Sequence, residues 1–185
     1  MFIQTEATPN PATMKFLPGQ PVLGEGVLDI KSAEDADRSP LAARLFAVPG
    51  VTAVFLGGDF VTVTKSGDSE WQHIKPAILG GIMEHFLSGA PAVVGDDSGQ
   101  ADDEFYDTKD ADVVAQIKEL LDTRVRPAVA NDGGDISFRG FKDGIVFVHM
   151  QGACSGCPSS TATLRSGVQN LLRHYVPEVV EVQPV

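Results

Sequence analysis

An α+β chain, built as two small α/β-layered domains joined by an acidic linker, is what the 185 residues predict, and three observations carry that expectation. Each half of the chain holds both short β-rich runs and apolar stripes at helical spacing, the mark of sheets covered by helices. Residues 89–110 gather seven acidic residues against one lysine, so that stretch alone supplies −6 of the formal net charge of −11. The only two cysteines, Cys154 and Cys157, stand three apart in a glycine-flanked loop of the second half. The division expected is residues 1–88, a linker over 89–110, and 111–185. A hydrophobic fraction of 43% with 21% charged residues excludes a disordered chain.

In order, Phe2 to Thr5 predicts a strand, Pro9-Asn10-Pro11 a turn, and Met14 to Leu17 a strand stopped by Pro18-Gly19. Val27 to Ile30 predicts another strand. Ser39-Pro40 is a helix start, with Leu41, Leu45, Phe46 and Val48 as the apolar face and Pro49-Gly50 as the stop. Val51 to Leu56 and Phe60 to Thr64 flank Gly57-Gly58-Asp59 as a hairpin. Trp71, Ile74, Ile78, Ile82, Phe86 and Leu87 recur every three to four residues, and all six are expected in the core of a helix from Glu70 to Leu87. The histidines of that helix, His73 and His85, are about 18 Å apart along its axis, too far to share a metal; each reads as a surface or satisfied core residue.

The linker reads as solvated, with Phe105-Tyr106 as its one aromatic pair, able to dock locally. The second domain begins with a helix striped by Val113, Val114, Ile117, Leu120, Leu121 and Val125, expected to end near Pro127. Asp132-Gly133-Gly134-Asp135 reads chiefly as a turn that needs glycine's positive φ, with metal binding by Asp132 or Asp135 the lesser reading. Ile136 to Phe141 and Ile145 to Met150 pair as a hairpin across Lys142-Asp143-Gly144. The thiol loop follows, then a helix from Pro158 to about Tyr175, then a last strand over Val179 to Val182, parallel to the one before the loop. The order is αββαβ.

Cys154 and Cys157 thus lie on a strand-to-helix loop, with Cys157 as N-cap. There the positive end of the helix dipole is expected to favour thiolate over thiol. A Cys-x-x-Cys of this kind has three readings: a structural or accidental pair, a thioredoxin-like redox dithiol, or half of a metal site for an iron–sulfur cluster or zinc. Ser155-Gly156 between the thiols, and the lack of a preceding βαβ pattern, weaken the thiol–disulfide oxidoreductase reading. A structural zinc module would need two chains, or a nitrogen from His149 or His174, but His149 has apolar strand neighbours and His174 lies in a last helical turn.

The run from Gly152 to Ser160, followed by Thr163-Leu164-Arg165-Ser166-Gly167-Val168, resembles the C-terminal domain of NifU-like (NFU-type) iron–sulfur cluster scaffold and carrier proteins, with Arg165 where lysine is more usual. Asn131 to Asp135 resembles the loop before that family's β-hairpin. Met14 to Gly19, Ser39-Pro40-Leu41 with Leu45-Phe46, and Val54 to Val63 resemble the N-terminal domain that accompanies it in mitochondrial and related bacterial members. The resemblance implies a non-catalytic carrier that binds a [4Fe-4S] cluster transiently through Cys154 and Cys157, receives it from upstream cluster-assembly factors and delivers it to apo iron–sulfur proteins. A cluster takes four protein ligands and one chain offers two thiols, so a cluster-loaded homodimer sharing the [4Fe-4S] cluster between its subunits is expected.

The net charge of −11 argues against binding nucleic acid or anionic membrane through a general positive surface, and no apolar run approaches a membrane span. Met1 to Glu6 has neither a basic n-region nor an apolar core. The expected home is cytoplasmic (bacterial), and a processed mitochondrial form is compatible with the same features.

Overall fold

A computed structural model describes residues 1–94, 104–155 and 158–185, with 158–160 as backbone only. The chain divides into two compact units, Met1–Gln100 and Ala101–Val185. Helices and strands are mixed in both, as the α+β expectation requires. Among the described residues no helix is long and apolar enough to cross a membrane.

The first unit is a five-stranded antiparallel sheet in the order β1-β2-β5-β4-β3, built from β1 (Gln4–Ala7), β2 (Thr13–Leu17), β3 (Leu28–Ile30), β4 (Val51–Leu56) and β5 (Val61–Lys65). Alternation sends Phe16, Val54, Leu56, Val61 and Val63 into one core with Leu41 and Leu45 of α1 (Pro40–Phe46) and Ile74, Ile78 and Ile82 of α2 (Trp71–Ser88). α1 begins as read: buried Ser39 is its N-cap, the hydroxyl accepting from Ala42 N at 3.1 Å and donating to the carbonyl of Ala92.

Three expectations in this unit are corrected. β1 starts at Gln4 rather than Phe2, because its ladder ends at Gln4 opposite Leu17, where Pro18-Gly19 stops the partner; Phe2 is 84% exposed. A 3-10 helix over Ala33–Arg38 was not foreseen, since only Ala36 of that acidic stretch is buried. Leu87 is 75% exposed, while His85 takes the buried position of the last turn of α2. Its neighbours in the stripe sit at 74, 78 and 82, and position 85 continues that face whereas 87 leaves it.

The second unit is a four-stranded mixed sheet, β6-β7-β8-β9, from β6 (Phe105–Tyr106), β7 (Gly134–Lys142), β8 (Ile145–Gly152) and β9 (Glu181–Pro184). β7 and β8 form the antiparallel hairpin, and Asp143 (φ 52) and Gly144 (φ 79) both take the left-handed conformation that a two-residue turn of this hand demands. β9 runs parallel to β8 as expected, but starts two residues late. Val180 N donates to Gly144 O, and pairing opens only at Glu181 opposite Ile145, where β8 begins. Val114, Ile117 and Leu121 from the first helical segment and Val168 and Leu172 from α5 (Pro158–Tyr175) pack onto Ile136, Phe138, Val146 and Val148.

That first helical segment does not end near Pro127. It runs as α3 (Ala111–Leu120), a π turn over Leu121–Val125, and α4 (Arg126–Asn131). Proline lacks the N–H and crowds the carbonyl four residues back, and a widened turn just ahead of it lets the helix continue. Of the expected linker, Ala92 and Val93 pack on the first unit's core and Val94 N bonds Arg38 O. At its other end Phe105–Tyr106 is a strand parallel to β7 and Thr108–Asp110 a 3-10 turn; residues 95–103 lie outside the described residues. Phe105 docks where a Cβ on Gly140 would stand, 2.4 Å from its ring, and stacks 5.2 Å from Phe147.

Candidate metal centre

The thiol loop leaves β8 at Gly152, whose φ of 68° turns the chain out of the sheet, and enters α5 at Pro158, the first helical residue. Between them Ser155 N and Oγ both donate to Gly152 O, at 3.1 and 2.9 Å, closing a tight turn around Cys154. Thr161 Oγ1 reaches back from α5 to the carbonyl of Cys154 at 2.9 Å. Cys157, the second sequence-predicted ligand and expected N-cap, lies outside the described residues.

Cys154 faces inward. It is 6% exposed and belongs to the core cluster of the second unit. Its pKa is pushed up to about 12, first by burial, then by the negative fields of Asp132 and Asp135. Burial of the sulfur in apolar packing and the two carboxylates thus oppose the thiolate that a helix end beside the loop was expected to favour.

The Asn131–Asp135 loop forms the floor beneath this sulfur. Gly133 (φ 83) makes the turn that the sequence foretold, and its carbonyl accepts from Ala153 N at 3.2 Å. Gly134 is glycine for a second reason. A Cβ there would stand 2.6 Å from Gln151 O and 2.8 Å from Cys154 Sγ. Asp135 is engaged elsewhere: Arg126 donates Nε to Oδ1 at 2.9 Å and Nη2 to Oδ2 at 3.0 Å, while Arg126 Nη1 reaches Asp122 Oδ1 at 3.2 Å. These carboxylates hold the Arg126 pKa above its usual value. Sequence reasoning missed Arg126; its spacing of four from Asp122 was the available signal.

The histidines stay outside this group. His149 Nδ1 lies 3.2 Å from Val185 O, His174 stacks edge-on with Tyr175, and His73 is exposed. Among the described residues no three His, Cys, Asp or Glu side chains gather as a metal site.

Fold and loop together define a two-unit protein whose second unit carries a Cys-x-x-Cys loop between strand and helix. Residues 3–89 match the model of the N-terminal domain of scaffold protein Nfu/NifU, and residues 117–183 match the NifU-like domain. The chain is 51% identical over 187 residues to the human "NFU1 iron-sulfur cluster scaffold homolog, mitochondrial", covering 100% of this chain and 72% of that protein. It is 50% identical over 185 residues to "NifU-like protein 4, mitochondrial" of Arabidopsis thaliana, covering 99% and 65%. A solution NMR structure of a NifU-like protein from Saccharomyces cerevisiae aligns with 51% of this chain and 86% of its own, at 29% identity and a TM-score of 0.47. The chain belongs to the NifU-like (NFU-type) family, and spans about two thirds of the length of these curated relatives.

Proposed function

We propose that this protein is an iron–sulfur cluster carrier, not an enzyme, that holds a [4Fe-4S] cluster as cargo on Cys154 and Cys157 of each of two subunits and passes it to apo iron–sulfur proteins. The observation that carries the reading is the donor count: a chain whose only two cysteines stand three apart is half a four-thiolate cluster site. Family membership supports it, as does the name of the human relative, an iron–sulfur cluster scaffold homolog.

The chemistry of the donor set fits iron. Asp132 and Asp135 disfavour a bare thiolate at Cys154, so a metal bound there has to displace the thiol proton. Gly152, with its left-handed backbone, is the pivot about which Cys154 leaves the core to meet a cluster. A sulfur buried in the core is out of reach of a disulfide, which counts against Cys154 as the attacking group of a thiol–disulfide oxidoreductase.

In this reading residues 111–185, together with β6, are the cluster-binding domain, the acidic stretch inside 89–110 a linker, and 1–88, which hold no cysteine, a partner-recognition domain. Upstream assembly factors load the protein and acceptors unload it. The relatives named above are described as mitochondrial, which supports the mitochondrial form over the bacterial cytoplasm; both offer the reducing conditions that keep thiols available.

The test is anaerobic reconstitution, with iron and sulfide counted per chain and mass measured by sedimentation. A dimer with four irons per pair of chains is expected, and Cys154→Ser or Cys157→Ser removes both cluster and dimer. A monomer carrying a full four-iron load sinks the shared site.

A further inference from the structure

We propose that Arg126 is a positioning residue for the thiol site, acting through Asp135 on the glycine floor beneath Cys154. The inference deepens the carrier reading and rests on it for the role of Cys154 as a ligand.

Glycines have no side chains with which to anchor a loop, so beyond the ladder pairing of Gly134 with Gly152 the floor at Gly133-Gly134 is held by what flanks it. On the N-terminal side the helix end closes over it, with Asp132 N on Val129 O at 3.1 Å and Gly133 N on Ala130 O at 3.0 Å. On the C-terminal side the next residue is Asp135, 5% exposed and gripped by both arms of the Arg126 guanidinium. A planar fork on two carboxylate oxygens fixes direction as well as distance, and the ion pair with Asp122 fixes the fork in turn.

One peptide from Asp135, Gly134 abuts Cys154 Sγ, and the next carbonyl, of Gly133, takes the N–H of Ala153. A rigid connection therefore runs from guanidinium to carboxylate to the two glycine peptides to the residue before the thiol. Arg126 also offsets the charge of Asp135, one of the two carboxylates whose fields reach the sulfur. A lysine at 126 keeps that charge and loses the fork, which separates geometry from electrostatics.

The experiment uses the full chain with Arg126→Lys, comparing amide exchange at Ala153 with Val146 and Val148 inside β8, and titrating Co2+ by thiolate-to-cobalt absorption. Expected are about tenfold faster exchange at Ala153 with β8 unchanged, since local and global opening are read by different amides, and roughly tenfold weaker Co2+ binding. Unchanged Ala153 exchange overturns the proposal. So does equal acceleration at Ala153 and Val148, which marks a merely structural role, or loosened Ala153 with unaltered Co2+ affinity. Should Arg126→Lys not fold, the pair Arg126→Gln with Asp135→Asn, which leaves no buried charge, carries the same readouts; if that also fails to fold, the pair is a requirement of the fold and the proposal falls. Failure of the unaltered chain to bind Co2+ refutes the ligand role of Cys154, and with it the proposal, whatever the exchange shows.

Discussion

Gly134→Ala is the sharpest single perturbation of the thiol loop. The new methyl would stand 2.6 Å from Gln151 O, 2.8 Å from Cys154 Sγ and 3.2 Å from Cys154 N, all inside the roughly 3.5 Å at which nonbonded atoms rest. The sulfur can swing away, but Gln151 is fixed in the ladder opposite Asp135, so the backbone itself has to move. Overpacking of this kind costs about 1–3 kcal/mol, and the stiffer unfolded chain returns about 0.4–1 of it, leaving a mid-range net loss of about 1.3 kcal/mol. The comparison is Gly167→Ala in α5 of the same unit, exposed and with nothing within 4 Å of the added carbon. There the same change should stabilise by roughly 0.5–1 kcal/mol, because alanine is the better helix former. Native-state amide exchange at Val146 and Val148 reads the stability of this unit without interference from the other. Opposite signs are expected. A Gly134→Ala protein as stable as the unaltered one, with Gly167→Ala behaving as stated, would refute the account of the floor beneath Cys154.

Two further outcomes concern the first unit, whose unfolding Trp71 reports. Ser39→Ala removes an N-cap and leaves the Ala92 carbonyl without its hydroxyl, so the denaturation midpoint should fall by the equivalent of about 1–3 kcal/mol with an unchanged slope; an unshifted midpoint would remove Ser39 from the account. His85 is buried with Nδ1 lacking a hydrogen-bond partner, and its pKa lies below the ordinary 6.5, first through desolvation and then through Arg44. The unfolded chain therefore takes up a proton that the folded chain refuses: stability is fully present above 6.5 and declines as pH falls through that value. The midpoint should drop between about pH 7.5 and about pH 5.5, and His85→Leu should flatten that dependence; a slope that survives the substitution assigns it elsewhere.

Much of the second unit was legible because its signals are local. Lys142-Asp143-Gly144 foretold a hairpin turn, which the structure makes with positive φ at Asp143 and Gly144, and Pro158 marked the first residue of α5. The features that escaped depend on contacts distant in sequence. Nothing periodic in two residues announces β6; the clue was Gly140 inside a β-rich run, where the missing side chain makes room for Phe105. Pro127 was read as a stop because a proline rule sees only the regular helix, and the π turn is sustained by packing of Leu121 and Val125 in the core. The inward turn of Cys154 was hidden for a similar reason: a motif places a thiol on a loop but does not say which way the sulfur faces.

Arg165 does more than carry a positive charge. Its Nε donates to Val182 O at 2.7 Å, Nη2 pairs with Glu181, and Gln169 Oε1 accepts from Val182 N at 3.2 Å. Both backbone groups of Val182 in the outermost strand, β9, are thus taken by side chains of α5, and Pro184 has no N–H to give. A strand at the margin of a sheet ordinarily invites the backbone of any passing chain, the first step toward insoluble stacks. Here that invitation is largely withdrawn: an extended chain meeting the protein along this margin finds both backbone groups of Val182 already taken and no N–H at Pro184.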